Sequence, residues 1–514
     1  MSLVPILLAL LSSVGMDRRT GQPDARGDVA RLAEHESDVS MPVAATSAGE
    51  SWSNATRMSD LLGSPRLDRR AFLKNGALAL SSAALWACER DLPLAPRGPE
   101  PPEREEAPFF FASGIENSYP LLPNGRRIDE MEKTGHYRRW LDDFALAKEL
   151  GLSALRYGPA YYRTNPAAGR YDWSSVDDQM AWLRSSGMTV IADLCHFGVP
   201  SWLAGFQDVA FPGQFAAYAR EFAKRYPWVR YYTPINEIYV AATFSAWFGW
   251  WNEGLTSEQA FAKALRNLCL AHELAVLAIL AERPDAIFVQ AESIEHYTPA
   301  DDSSDTARQA AFWNEVRYTA LDLTLGRLPS PTSLDLLRRS GTSDSDLAFF
   351  RRRRAPGQRW LGVDYYVTCE QIVYADGTRA PAPRRAGLGA LAREYHRRYG
   401  IPLLVSETNR VDMLAVEWLD EQWRETQLLQ RAGVPVKGFT WYPLIDVVDW
   451  RYALRIERND VDPIGLCDLS RVARPVGRAY AALIASSEPV LAVHRTEPWA
   501  LARLPVTSHN AKGP

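Results

Sequence analysis

The chain has 514 residues, of which 23% are charged and 46% apolar, and a formal net charge of −4. These values are ordinary for a soluble globular protein and show no basic excess, which argues against nucleic acid as a partner. The five cysteines lie in no CxxC or His-rich spacing, so we predict no disulfide framework, no metal site and no cofactor.

The first ninety residues are predicted to carry an export signal. Residues 1–57 hold an apolar run and then a polar stretch without periodicity, and we predict that they lack a folded core and that translation starts at Met58. In residues 58–90, Arg69 and Arg70 precede a short apolar run, which resembles the twin-arginine signal for folded export. We therefore expect a periplasmic or cell-envelope location.

Cys88 lies at the end of this signal segment, where Leu85-Trp86-Ala87-Cys88 resembles the lipobox of bacterial lipoproteins. The resemblance implies lipidation of Cys88 and membrane attachment through a lipid anchor alone. Trp86 is larger than the residue usual at its position, so a lipidated and an unlipidated product both stay open. Residues 91–108 are rich in Pro, Glu and Arg and predict an extended linker, so the globular part starts near Phe109.

From Phe109 onward, short apolar runs alternate with longer amphipathic segments, which is the pattern of βα units. The predicted strands are Phe109–Ala112, Ala154–Tyr157, Thr189–Cys195, Arg230–Ile235, Ala286–Ala291, Trp360–Tyr366, Pro402–Ser406 and Val436–Trp441. The predicted helices include Tyr137–Leu150, Val176–Ser186, Phe215–Arg225, Ser257–Ala281, Leu388–Tyr399 and Glu417–Ala432. Eight such strands predict an α/β fold, a single (β/α)8 TIM barrel over residues 109–490, followed by a C-terminal tail, 491–514.

A (β/α)8 barrel carries its chemistry at the C-terminal ends of its strands. Polar and aromatic side chains occupy these positions, namely Arg156, His196, Asn236, Glu237, Tyr366, Glu407 and Trp441. Two carboxylates at one mouth suit the hydrolysis of an acetal, because one acid protonates the leaving oxygen while the other attacks the anomeric carbon. We therefore predict that Glu237 and Glu407 form the catalytic pair.

Six stretches, in order along the chain, resemble the motifs of glycoside hydrolase family 1. They are His136–Trp140 with Arg156, Asp193–Trp202, Thr233–Glu237, Gly362–Tyr366, Leu403–Glu407 and Trp441–Trp450. The resemblance implies a retaining β-glycosidase for β-glucoside- or β-galactoside-like substrates, with Glu237 as general acid/base and Glu407 as nucleophile. Residues 169–173 are similar to other families of the same clan, so a divergent relative stays open.

The resemblance also implies which residues bind the substrate. These are Asn236, His196, Arg156, Tyr366, Trp441, Asp449 and Trp450. Among them, Arg156 and Tyr366 would keep Glu407 ionised. Asn236 would hold the sugar 2-hydroxyl, where hydrogen bonds strengthen in the transition state.

Three positions depart from the family pattern. The Gln that normally follows the first strand is missing, and Glu116 or Asn117 stands in its place. The Pro that normally follows Asn-Glu is Ile238, and Asp449 is one methylene shorter than the loop Glu that binds the sugar 4- and 6-hydroxyls. These changes leave the chemistry intact and alter the contacts that select the sugar.

Two other functions could use the same barrel. A transglycosidase or endo-glucanase of the clan would share both Glu residues but present an open cleft, and the Trp-rich loop Phe244–Gly254 decides between cleft and pocket. A catalytically silent sugar-binding lipoprotein would have no reason to keep Glu237 and Glu407. Ahead of these two alternatives, we expect an exo-acting glycosidase whose partner is a small carbohydrate substrate.

Overall fold

The computed structural model describes residues 109–353 and 357–493, so the predicted signal, Cys88, the linker and residues 494–514 lie outside the described residues. The strands in the described part are β1 (Phe110–Gly114), β2 (Ala154–Tyr157), β3 (Thr189–Asp193), β4 (Tyr231–Thr233), β5 (Ile287–Ser293), β6 (His296–Pro299), β7 (Gln358–Asp364), β8 (Glu370–Val373), β9 (Arg379–Pro381), β10 (Leu403–Glu407), β11 (Val436–Thr440), β12 (Val447–Val448) and β13 (Val461–Asp462). Eight of these strands close into a parallel barrel in the order β1-β11-β10-β7-β5-β4-β3-β2. The predicted (β/α)8 barrel is confirmed.

Helices connect successive barrel strands and surround the barrel. The α-helices in the described residues are α1 (Glu130–Lys133), α2 (His136–Glu149), α3 (Tyr161–Thr164), α4 (Asp177–Ser186), α5 (Phe211–Arg225), α6 (Ile238–Ala242), α7 (Glu258–Glu282), α8 (Ser304–Val316), α9 (Thr319–Thr324), α10 (Pro331–Arg339), α11 (Asp344–Arg353), α12 (Leu388–Tyr399), α13 (Asp412–Arg431) and α14 (Pro475–Val493). Short 3-10 turns lie at Gly205–Gln207 and Trp450–Tyr452, and a π-helical turn at Thr243–Trp247. The helix α14 runs three residues beyond the predicted end of the barrel at residue 490.

Side chains from alternate strand positions fill the barrel interior. This inner cluster contains Phe110, Ala112, Ala154, Ile191, Tyr231, Ile287, Val289, Trp360 and Leu404, all of them buried. Because side chains alternate along a strand, the intervening residues pack outward against the helices. The interior is therefore a packed core, and a substrate can reach the barrel only at the strand ends.

All eight predicted barrel strands are present, with ends displaced by no more than two residues, and β4 shortens most, from Arg230–Ile235 to Tyr231–Thr233. The long segment between the fifth and sixth barrel strands, β5 and β7, holds α8 to α11. The sequence reasoning missed a second, three-stranded sheet in the order β6-β8-β9. Its strands are three to four residues long and half-exposed, so they lack the apolar run by which the barrel strands were found.

Helix α7 is, among the described residues, long and apolar enough by composition to cross a membrane, with a mean hydropathy of 1.6 in its most apolar window. That window is 61% buried inside the structure. Ser257 begins the helix by accepting a hydrogen bond from the Ala260 backbone N–H, as capping residues of soluble helices do. We therefore interpret α7 as a core helix of the barrel.

Candidate active site

The residues predicted at the strand ends lie at one mouth of the barrel, and most of them are connected by hydrogen bonds. Glu407 is the last residue of β10 and is 3% exposed. Its Oε1 accepts a hydrogen bond from the guanidinium of Arg156 on β2, and its Oε2 accepts one from the Tyr366 hydroxyl at 2.6 Å. Both oxygens of this carboxyl group are therefore bonded, one to a cation and one to a hydroxyl.

Arg156 continues the network to the ends of β3 and β4. Its Nη2 lies 2.9 Å from the carboxylate of Asp193 and also donates to the side-chain oxygen of Asn236. Asp193 in turn lies 2.8 Å from Nδ1 of His196. Burial raises the pKa of Asp193, but Arg156 and His196 outweigh it and lower that pKa below its usual value. The guanidinium therefore holds two carboxylates and one amide in fixed positions.

The tautomer of His196 follows from this network. The oxygen of Asn236 accepts from Arg156, so its amide nitrogen points to His196 Nε2 at 3.0 Å. Because that amide nitrogen is a donor, Nε2 is the acceptor and Nδ1 carries the proton towards Asp193. His196 is thus oriented by Asp193, to which the sequence reasoning assigned no role.

The charged groups around Glu237 differ from those around Glu407. It follows β4, begins α6 in a left-handed conformation with φ of 41°, and is 7% exposed. A non-glycine residue in this conformation is strained, which is common at functional sites. Burial, together with the neighbouring carboxyl groups of Glu407 and Asp364, raises the pKa of Glu237 well above its usual value. We therefore expect Glu237 to hold a proton at neutral pH.

The two carboxyl groups approach closely. One oxygen of Glu237, one of Glu407 and one of Asp364 all lie within 4.8 Å of one another. The guanidinium of Arg156 already provides Glu407 with a cation, so the geometry suits acid–base and nucleophilic chemistry. Asp364, to which the sequence analysis gave no role, is the third member of this cluster.

The two tryptophans predicted to line the sugar subsite have different surroundings. Trp441 is fully buried, and its indole N–H donates to the Ile464 carbonyl at 2.9 Å. Trp450 is half-buried, and its indole N–H has no hydrogen-bond partner among the described residues. Its ring centroid lies 6.1 Å from those of Phe197 and Trp251. Trp450 therefore offers a free donor, whereas the polar atom of Trp441 is already used.

Asp449 is not joined to the catalytic network by any described hydrogen bond. Its side chain is fully buried, and its oxygens accept from the backbone N–H groups of Asp460 and Asn459 at 2.9 Å and of Arg458 at 3.1 Å. The ammonium of Lys133 lies 3.4 Å away. The carboxylate of Asp449, which was expected to contact the sugar 4- and 6-hydroxyls, therefore accepts hydrogen bonds from the loop at 458–460. These bonds occupy both of its oxygens.

Of the two candidates for the missing Gln, Glu116 lies closer to the predicted site. Its Oε1 accepts from the Ser118 backbone N–H at 2.9 Å and lies 3.6 Å from Nε2 of His196. Asn117 instead donates to the Asp193 carbonyl, at 3.5 Å. Burial raises the pKa of Glu116, against the opposing effect of His196.

Comparisons with known proteins agree with the fold. The sequence profile described as "Glycosyl hydrolase family 1" matches residues 126–373, which include Glu237 but end before Glu407. "Beta-glucosidase A" of Thermotoga maritima is 23% identical over 369 residues, 61% of this chain and 78% of the relative. "Beta-glucosidase" of an Agrobacterium species is 24% identical over 391 residues, 68% of this chain and 84% of the relative.

Solved structures give the same result. A beta-glucosidase from Thermotoga maritima in complex with glucoimidazole superposes with a TM-score of 0.63 at 17% identity, over 74% of this chain and 98% of that chain. The same enzyme in complex with deoxynojirimycin superposes with a TM-score of 0.63 at 18% identity, over 73% of this chain and 97% of that chain. At such identities, the structural likeness bears on the fold.

The closed barrel, with its acidic mouth and the profile match, defines the class of protein: a glycoside hydrolase of the barrel type. More particularly, residues 126–373 match the glycoside hydrolase family 1 profile, and the chain is similar in sequence to two β-glucosidases.

Proposed function

We propose that the chain is a retaining β-glycosidase that hydrolyses the O-glycosidic bonds of β-glucoside- or β-galactoside-like substrates by double displacement. The observation that carries this proposal is the contrast between two neighbouring carboxyl groups. Glu407 is paired with Arg156 and Tyr366, whereas Glu237 lies among other carboxyl groups. Such a contrast separates a nucleophile from an acid, as double displacement requires.

The short separation favours retention of configuration. Retaining glycosidases hold their two carboxyl groups about 5–5.5 Å apart, whereas inverting enzymes leave roughly 6.5–9.5 Å for a water molecule. Oxygens of Glu237 and Glu407 lie within 4.8 Å of each other. That distance lies on the retaining side of this division, which supports Glu407 as the nucleophile.

Each residue of the network then has a defined task. Glu407 attacks the anomeric carbon while Glu237 gives its proton to the leaving oxygen. In the second step Glu237 takes a proton from the water molecule that releases the sugar from Glu407. Asn236, held by Arg156, is positioned to bind the 2-hydroxyl of the sugar. Because the acid must be protonated, activity falls as the pH rises through the raised pKa of Glu237.

The loops around the mouth favour exo action. The indole N–H of Trp251 donates to the Ala453 carbonyl at 2.8 Å, and the Asn252 backbone N–H donates to the Leu121 carbonyl. These bonds join the loops after β1, β4 and β11 along one side of the mouth. Joined loops enclose a pocket that takes the end of a sugar chain, whereas an endo-acting enzyme needs a cleft open at both sides.

Azide rescue tests the assignment of the two carboxyl groups. Replacing Glu407 with Ala is expected to lower turnover of an aryl β-glucoside by more than about a thousandfold, and added azide is expected to give the α-glycosyl azide. Replacing Glu237 with Ala is expected to spare the first step for good leaving groups and to give the β-glycosyl azide. Product anomers are assigned by NMR.

The matched control is Glu282→Gln, because Glu282 is also a carboxylate of the chain but pairs with Arg220 at the outer surface. This variant is expected to keep wild-type turnover and to form no azide adduct. An inverted product from the wild-type enzyme, or a β-azide from the Glu407 variant, would show that Glu407 is not the nucleophile.

A further inference from the structure

Asp364 is a third carboxyl group beside the proposed catalytic pair. It ends β7, where it pairs in register with Glu407 on β10, and its side chain is fully buried. One of its oxygens lies within 4.8 Å of an oxygen of Glu237 and of Glu407. Neither the acid nor the nucleophile assignment uses this residue.

The two oxygens of Asp364 are unequally satisfied. The Ser406 hydroxyl donates to Oδ1 at 2.5 Å, whereas Oδ2 is buried and has no hydrogen-bond partner among the described residues. An ionised carboxylate without donors is costly to bury, and a proton on the unpartnered oxygen removes that cost. The hydrogen-bond pattern therefore favours a neutral acid whose proton is on Oδ2.

The surrounding charges favour the same state. The groups that face Asp364 from neighbouring strand ends are Glu407, Glu292, Glu237, Tyr366 and Arg156. All but Arg156 are acids, and Arg156 is shared with Asp193. Burial and the charge of Glu407 raise the pKa of Asp364 well above its usual value, and burial raises that of Glu292 to about 7.

We propose that Asp364 is a protonated positioning residue whose hydroxyl donates to whichever catalytic carboxylate carries the negative charge. This inference rests on the proposed function. In the resting enzyme the acceptor is Glu407. When Glu407 bonds to the anomeric carbon and Glu237 loses its proton to the leaving oxygen, the charge passes to Glu237, which becomes the acceptor.

Asp364 keeps its proton through both steps. In the second step a water molecule attacks the anomeric carbon, the ester bond to Glu407 breaks, and the water proton goes to Glu237. The negative charge returns to Glu407, and so does the hydrogen bond. One oxygen of each of the three carboxyl groups lies within 4.8 Å of the other two, so both acceptors are close to the donor in both steps.

Two variants of the full-length enzyme separate donation from mere packing. Asp364→Asn keeps a neutral donor of the same shape, and its kcat is expected to stay within about threefold of wild type. Asp364→Val keeps the volume but removes the donor, and its kcat is expected to fall about ten- to a hundredfold, the range of a hydrogen bond to a charged group. Equal losses in both variants would overturn the positioning role.

The pH profile tests the protonation state. If Asp364 is neutral in the working range, Asp364→Asn exchanges one neutral group for another, and the basic limb of kcat/KM stays within about half a pH unit. If Asp364 were ionised, its removal would take a negative charge away from Glu237. The pKa of Glu237 would then fall, and the basic limb would move by about one unit or more to lower pH, which would overturn the proposal.

Infrared spectroscopy gives a readout that needs no turnover. At neutral pH, the spectrum of Asp364→Asn is expected to lack one carbonyl band of a protonated, buried carboxylic acid relative to wild type. Loss of a carboxylate band instead would overturn the proposal. This measurement does not depend on the configuration of the product. A failure of the azide experiment would therefore refute the nucleophile assignment, whereas the infrared spectrum alone decides whether Asp364 is protonated.

Discussion

Arg156 shows how one side chain organises the site. Its guanidinium contacts the carboxylates of Asp193 and Glu407 and the amide oxygen of Asn236. A guanidinium presents five donors in a rigid plane, so it can hold three acceptors at fixed angles, which the single ammonium of a lysine cannot do. The side chain that pairs with Glu407 therefore also orients the proposed ligand of the sugar 2-hydroxyl.

Glu116 is the residue that we expect to take over sugar selection. It lies 3.6 Å from His196, whereas the carboxylate of Asp449 is occupied by its own loop. Without a contact from Asp449 to the 4- and 6-hydroxyls, we expect wild-type activity on aryl β-glucosides, β-galactosides and β-fucosides to agree within about tenfold.

Glu116→Gln removes the negative charge and exchanges one oxygen for an amide donor, while the remaining oxygen can still accept from Ser118. We expect KM for at least one of these epimers to change by about tenfold, the effect of one hydrogen bond, with kcat nearly unchanged. A panel of aryl glycosides assayed on both proteins measures this. Glu282→Gln is the matched control, because it makes the same chemical change at a surface carboxylate that pairs with Arg220. Identical KM values for every sugar in wild type and Glu116→Gln would remove Glu116 from the sugar site.

Among the elements, the loop between β12 and β13 is bonded to the carboxylate of Asp449. Asp449 has φ of 63° and accepts hydrogen bonds from three backbone N–H groups of the residues at 458–460. Replacing it with Ala leaves these three part-buried N–H groups without their acceptor. We expect the free energy of unfolding to fall by about 2–3 kcal/mol.

The loss should begin in the loop itself. Trypsin is expected to cleave after the exposed Arg458 faster in Asp449→Ala than in wild type, because local opening exposes this backbone. Asp449→Asn is the matched control, since it keeps one acceptor and tolerates the left-handed conformation, so its loss should be smaller. Equal cleavage rates and equal unfolding curves for all three proteins would mean that Asp449 does not hold the loop.

The barrel strands and their end residues could be predicted because each leaves a local pattern, a short apolar run followed by a polar side chain. Glu237 and Glu407 were found in this way. Asp193 and Asp364 were quoted within motifs but received no role, because their effect depends on partners on neighbouring strands. The contacts of Asp449 could not be predicted either, since they run to backbone groups about ten residues further along the chain.

For the whole molecule, the distribution of thiols provides a test of the expected export and anchoring. Cys195, Cys269, Cys369 and Cys467 are free and buried in the barrel, and burial raises the pKa of each thiol. Because the thiolate is the reactive form, these four should react slowly with maleimide while the protein is folded. Cys88 lies outside the described residues, and we expect it to carry a lipid after export.

Maleimide labelling of the folded enzyme, purified in detergent from the cell envelope, measures whether Cys88 is free. We expect no rapidly labelled thiol if Cys88 is lipidated and one if it is not, because the buried thiols form the same background in both cases.

Cys88→Ser is expected to turn a membrane-associated protein into a soluble or unprocessed one, and changing Arg69 and Arg70 to Lys should retain it in the cytoplasm. One fast-reacting thiol together with unchanged fractionation of Cys88→Ser would exclude the lipid anchor, and normal export of the Lys variant would exclude the twin-arginine route. Neither result would bear on the barrel chemistry, since the residues that form the site all lie between Glu116 and Trp450.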